Sequence, residues 1–206
     1  MGRPKQALIT RAAATKAALA AIDADGLDNF SLNSVARSIG VKAPSLYHHF
    51  QDKAALLAEV ARLLLIETDY QSSGDEKWED STIKICVETR RALLKHPNAA
   101  PLILQFFPRH LLLDAYEIAV AGYPQTRALH MAILEGIEKL TFGSALFAAA
   151  ASTAGVPAMP EVTAKDYPNL AESVAASQSD DEGNFVEALR MFLAGVRVRT
   201  QGSVPA

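Results

Sequence analysis

Apolar residues recur along this chain at spacings of three and four, and β-branched runs are few, so the pattern predicts helices almost throughout. Residues 6–24 place Leu8, Ile9, Ala12, Ala13, Ala17, Leu19, Ala20 and Ile22 on a helical period, with Gly26 as a stop. Ser31 is a plausible N-cap for a short second helix carrying Leu32, Val35, Ala36 and Ile39, and Gly40 supplies a left-handed turn. A third short helix follows, with Pro44 in its first turn and only Leu46 and Phe50, four apart, needed to pin it to a core. Asp52 caps a fourth helix opening at Lys53, whose period continues through Leu56, Leu57, Val60, Leu63 and Leu64.

Further helices are expected from about residue 76. One carries Trp78, Ile83, Ile85, Val87, Leu93 and Leu94 and closes at His96-Pro97; a short apolar segment ends at Pro108, and another ends at Gly122 and Pro124. A helix of about seven turns over roughly 125–152 contains "LTFGSALFAAAA" (140–151), apolar on every side. Burial all round is expected there, and a partner subunit is the natural cover. Residues 154–183 form a Pro-, Ser- and acid-rich break holding at most one short helix near 168–177. Beyond it, 184–199 aligns Phe185, Leu189, Phe192, Leu193 and Val196 in one stripe. The fold class is all-α.

With 206 residues, half of them hydrophobic, the chain can form one large domain or two small ones with a real core. A single cysteine, Cys86, excludes an internal disulfide framework, fits a reducing compartment and is expected to be a small buried hydrophobe. No apolar run of about 18 residues occurs, so a soluble, cytoplasmic protein with no membrane partner is expected. The net charge of −3 hides an asymmetry, since residues 1–53 carry seven Lys or Arg against four Asp while the remainder is acidic. A basic end on an acidic body suits a polyanion-binding head, although solvated helices give similar counts.

Short helix, glycine turn, short helix is the geometry of a helix-turn-helix, whose second helix enters the DNA major groove. Such a helix turns hydrogen-bonding and flat polar side chains outward, because base edges and phosphates are its partners. "GVKAPSLYHHF" (40–50) has that character, with Lys42, Ser45, Tyr47, His48 and His49 left free by the two core positions. The competing reading is that these residues merely coat a solvated helix. A metal site is disfavoured, because adjacent histidines point about 100° apart and no partner stands four residues on. Arg3 and Lys5 in the lead "MGRPK" could lie in the minor groove or form a plain basic end.

"FSLNSVARSIGVKAPSLYHHFQDKAALL" (30–57) resembles the DNA-binding head of the TetR family of bacterial transcriptional regulators. The shared features are the Phe-Ser entry, Ala-Arg before Gly-Val, a Pro-Ser-Leu-Tyr recognition helix, His-Phe, and a Lys opening the next helix. The resemblance implies an N-terminal three-helix helix-turn-helix DNA-binding domain (1–52) and a C-terminal helical effector-binding and dimerisation domain (53–206). It implies that Lys42, Ala43, Pro44, Ser45 and His48 face bases, that Tyr47, His49 and Lys53 clamp phosphates, and that Ser31 and Asn33 reach the backbone. For Lys53, its place in a first helical turn, where the dipole also attracts phosphate, agrees.

The same resemblance implies an effector cavity among the middle helices, for which Trp78, Cys86, Arg90, Leu102, Gln105, Phe106, His110, Tyr116, His130 and Glu135 are candidates. It also implies a homodimer through the helices near 125–152 and 184–199, although packing within one subunit explains either stripe alone. Members that bind tetracycline hold a drug-bound magnesium through a His before the equivalent proline. "LILQFF" has none, so neither tetracycline nor a metal or cofactor is expected. The expected function is a ligand-responsive homodimeric regulator, a repressor released from a palindromic operator by a small hydrophobic effector. An enzyme would need a constellation that is missing: no nucleophile elbow, HExxH or phosphate-cradling loop occurs, and Asp180, Asp181 and Glu182 read as a solvated charge run. A helical scaffold without DNA binding would require the basic head to be coincidence.

Overall fold

The computed structural model describes residues 9–66, 76–107, 109, 112–124, 127–157, 159–177 and 179–201, and these form helices and connections without a strand. The first four helices are α1 (Arg11–Asp25), α2 (Leu32–Ser38), α3 (Ala43–Tyr47) and α4 (Lys53–Ile66). Next come α5 (Trp78–Leu94), α6 (Leu102–Gln105) and α7 (Leu113–Gly122). The last three are α8 (Arg127–Ala154), α9 (Pro168–Ala176) and α10 (Asp181–Gln201).

Local chemistry sets the first boundaries. Thr10 caps α1 by accepting from the Ala13 N–H, and Ser31 caps α2 by accepting from the Ser34 N–H. Gly40, at φ 71°, makes the turn into α3 in a conformation that costs a non-glycine residue energy. Asp52 accepts from the Ala55 N–H at 2.8 Å and so fixes the start of α4. The inward stripe of α1 is Ala14, Thr15, Ala18, Leu19 and Ile22, whereas Ala12, Ala13 and Ala20 face solvent. Alanine populates every face of that helix, so its period alone does not mark the buried side.

One apolar core runs from the head into the body. Val35, Leu46 and Phe50 join Leu56, Val60 and Leu64 of α4, and beyond them Leu93, Leu102, Ala145 and Ala149. The Asp23 carboxylate at the end of α1 meets the His96 Nδ1 at 2.6 Å, and the Asn98 amide donates to the Asp23 carbonyl, so the head is also tied to the corner after α5.

A second core lies between α5, α8 and α10 and contains Cys86, Ile133, Ile137, Phe185, Leu189 and Leu193. The α8–α10 crossing is close at Gly136, where an added Cβ would stand 2.3 Å from Phe192 Cζ. The buried Arg90 knots the three helices. Its Nε donates to Ser144 Oγ of α8 at 2.9 Å, its Nη2 donates to Asp181 of α10, and its guanidinium lies 5.6 Å from the Phe185 ring. Beside it Arg91 binds Glu182 and Glu88, and the Glu182 carboxyl is held below the usual range, first by the Arg91 hydrogen bond.

One expectation changes here, and two observations bear on the proposed pairing of subunits. The acids at 181 and 182 form the first turn of α10 and anchor it to α5 rather than standing as a solvated run. Phe185, Leu189 and Leu193 are buried within their own subunit. The second half of α8 is not covered all round within this chain, since Phe147 is 82% exposed.

Candidate nucleic-acid interface and effector cavity

The recognition segment is divided between core and solvent, one residue apart. Leu46 and Phe50 are buried, whereas Lys42, Pro44, Tyr47 and His48 are exposed and Ala43, Ser45 and His49 are half-covered. Pro44 lies in the first turn of α3, where its missing N–H leaves no bond unmade. Arg11 secures the far end of this element: it donates to the His49 carbonyl and to Glu59 of α4, and its guanidinium lies 4.6 Å from the Phe50 ring. Burial works to raise the Glu59 carboxyl, but Arg62 and Arg11 together hold it below its ordinary value.

Ser31 and Asn33, also exposed, flank α3 from the start of α2, although the Ser31 hydroxyl is engaged in capping. Lys53 is exposed, and its ammonium donates to the Phe30 carbonyl at 3.0 Å. Two of its three protons remain for another acceptor. Arg3 and Lys5 lie outside the described residues.

The body holds a cavity of about 260 Å³ whose walls are overwhelmingly apolar. Four helices line it. Thr82, Ile85, Cys86 and Thr89 of α5 form one wall; Ala115, Tyr116 and Ala119 of α7, with Leu112 and Tyr123 at its ends, form a second; Leu134, Ile137, Glu138, Thr141 and Phe142 of α8 form a third. Leu65, in the last turn of α4, closes the side nearest the head. The spacing is i, i+3, i+4, i+7 on each of the long walls, so each helix gives the cavity one face. Glu138 is the anionic element in the wall: the Tyr116 hydroxyl donates to its Oε1 and Arg109 Nη2 donates to its Oε2 at 2.8 Å. Burial, the Glu138 hydrogen bond and the Glu138 charge all push the Tyr116 hydroxyl above its ordinary pKa. Burial likewise pushes Tyr123 up to about 12.

Of the candidate lining residues, Cys86 and Tyr116 stand in the wall itself. Trp78 and His130 stack edge-on against Tyr123, at 5.5 and 5.4 Å between ring centres, and so back the wall without forming it. Arg90 belongs to the α5–α8–α10 knot, Leu102 and Phe106 belong to the core shared with the head, and Gln105 is exposed on α6, so these four are displaced from the cavity. Glu135 pairs with Lys139 in a neighbouring hollow. His110 lies outside the described residues. The residues passed over, Thr82, Ile85, Thr89, Leu134 and Thr141 among them, carry their signal in shared faces rather than in unusual side chains.

Burial pushes the Cys86 thiol up to about 11. A raised folded pKa favours the thiol form, so stability is full below the unfolded value and falls as pH climbs toward 11. Alkylation by iodoacetamide followed by mass spectrometry is expected to leave Cys86 unmodified at pH 8 in the native protein and to modify it fully in urea; fast native labelling would contradict its burial.

Among the described residues, no cluster of three or more His, Cys, Asp or Glu is placed to hold a metal ion, and no helix is long and apolar enough to cross a membrane. A helix-turn-helix head continuous in its core with a cavity-bearing helical body defines a class: a ligand-responsive DNA-binding regulator. Residues 14–60 match the family described as "Bacterial regulatory proteins, tetR family". The tetracycline repressor protein class D of Escherichia coli is 26% identical over 94% of this chain and 91% of its own. The crystal structure of a possible TetR family transcriptional regulator from Streptomyces coelicolor superposes with a TM-score of 0.77 at 26% identity, covering 92% of this chain and 99% of that one. The Streptomyces coelicolor protein ActR, solved in complex with actinorhodin, gives a TM-score of 0.77 at 21% identity over 97% of this chain and 100% of its own, a likeness of fold. Residues 14–60 thus match the TetR-family DNA-binding segment, and the chain as a whole is similar, over more than nine-tenths of its length, to TetR-family transcriptional regulators.

Proposed function

We propose that this regulator is a repressor that leaves a palindromic operator when a small, mainly hydrophobic effector enters the cavity of the body. The observation that carries this reading is α4. Its first turn, with Asp52 and Lys53, stands beside the recognition helix, and its last turn puts Leu65 into the cavity wall. Fourteen residues make a rod of about 21 Å, so a ligand that displaces one end moves the other. The Asp23–His96 pair holds α1 to the body and gives the head a second point of attachment. A coupling of about 1–3 kcal/mol between the sites, doubled across a dimer, makes ligand and operator compete.

In this reading residues 1–52 are the DNA-binding unit and 53–206 carry effector and dimer contacts. Lys42, Ala43, Pro44, Ser45 and His48 meet bases; Tyr47, His49 and Lys53, with Ser31 and Asn33, meet the backbone. Helices α8 and α10 pair with those of a second copy. Phe147, Met191 and Val198, exposed along them, supply the apolar contact. Two recognition helices then face half-sites about one helical turn, or a small multiple, apart. The residues at 102–105, Leu-Ile-Leu-Gln, offer neither imidazole nor carboxylate to a metal–drug chelate, so the effector is taken to bind without a metal.

The test is operator selection from a random duplex pool, followed by anisotropy titrations with and without a panel of lipophilic compounds; release of the selected duplex by at least one cavity-binding compound is expected. Against that duplex, Lys53→Ala is expected to weaken binding to all sequences alike and to lower the salt slope by about one. Lys42→Ala is expected to change preference among sequences. An unchanged slope in Lys53→Ala would remove that residue from the phosphate contacts.

A further inference from the structure

We infer that the cavity selects effectors bearing a cationic or hydrogen-bond-donating group on an apolar frame, and that Glu138 is the residue that makes the selection. The inference rests on the ligand-binding reading above and adds the chemical class of the ligand.

Glu138 is buried, 9% exposed, and lines the inner cavity, where no Lys, Arg or His stands beside it in the wall among the described residues. Its counter-ion is on the other side. The Arg109 side chain is more than half exposed and is therefore screened by solvent, whereas the carboxylate it meets is not. Seen from the interior, the Glu138 carboxylate is therefore the charged group of the wall among the described residues, its charge partly offset from outside by Arg109. A carboxylate offers about four acceptor positions, of which Tyr116 and Arg109 occupy one each. The remaining capacity lies in a low-dielectric space, where a donor or ammonium gains most and a second anion is most strongly repelled.

A separate observation points to the same wall. Thr141, one turn further along α8 and only 3% exposed, has no nitrogen or oxygen partner for its hydroxyl; its polar neighbour is the Cys86 thiol, a weak one. Buried hydroxyls are ordinarily satisfied, so this group is available to a polar atom of a ligand lying along the 138–141 face. The other walls are apolar or bear hydroxyls, which suits a hydrocarbon or aromatic frame.

The test uses three probes that share one frame: 4-phenylbutylamine, 4-phenylbutan-1-ol and 4-phenylbutyrate. Each is titrated calorimetrically at pH 7 into the full chain, into Glu138→Gln and into Ala115→Trp, which fills the cavity. In the wild type the amine is expected to bind at least about tenfold tighter than the alcohol, and the butyrate weakest, as a charge-assisted bond predicts. Glutamine keeps an acceptor for Tyr116, and circular dichroism checks the fold of the variant; the amine advantage is expected to shrink to about twofold or less. The order in the wild type tests the inference without any variant. Butyrate binding as tightly as the amine, or an amine advantage untouched by Glu138→Gln, overturns the charge selection alone, provided the alcohol binds wild type and not Ala115→Trp. No binding of any probe, or equal binding to Ala115→Trp, overturns the ligand cavity and this inference together.

Discussion

Two adjacent alanine substitutions in the recognition segment are expected to fail in opposite ways. Leu46→Ala should lower the stability of the head by about 2–5 kcal/mol, because the side chain is 1% exposed and removing it leaves a hole between α2, α3 and α4. Tyr47→Ala should leave the melting temperature near that of the wild type, since its ring is 55% exposed, and should weaken binding to a selected duplex by about 10–100-fold, the range of a lost close DNA contact. Thermal melts and anisotropy titrations on the two variants measure both quantities. A marked stability loss in Tyr47→Ala would mean that the ring belongs to the core.

The second large effect is expected at Arg90. Its guanidinium is 3% exposed and joins Ser144, Asp181 and the Phe185 ring across three helices. Breaking a buried ion pair by removing one partner typically costs about 3–5 kcal/mol. Here Asp181 is half exposed and can rehydrate, so Arg90→Ala should cost about 2–4 kcal/mol. Arg90→Met, which keeps the buried hydrocarbon stem, should recover part of this. Chemical denaturation distinguishes the cases; a loss below about 0.5 kcal/mol in Arg90→Ala would show that the knot does not hold α10 in place.

The head was legible because its signals are local. Ser31, Gly40, Pro44 and Asp52 each fix a boundary through the backbone next to them, and the spacing of Leu46 and Phe50 divides inside from outside on so short a helix. The body was legible only as a set of helices. The cavity candidates that the resemblance implies include Arg90, Gln105 and Leu102, whose surroundings are set by other helices: a salt-bridge knot, solvent, and the core shared with the head. The face Thr82, Ile85, Cys86, Thr89 was present in the sequence as a helical stripe, but nothing local says that it faces space rather than packed atoms. Tertiary pairing decides that. The same holds for Phe185, Leu189 and Leu193, whose stripe is the one either a core or a partner subunit would require.

Protection of the twin histidines by DNA tests the central claim most directly. Diethyl pyrocarbonate modification of the native protein, read residue by residue by mass spectrometry, should label the exposed His48 readily in the free chain. A saturating selected duplex should slow that labelling at least about tenfold, while His130, placed beside Tyr123 in the body, keeps its own rate. Equal labelling of His48 with and without bound duplex would contradict the assignment of the α3 surface to DNA.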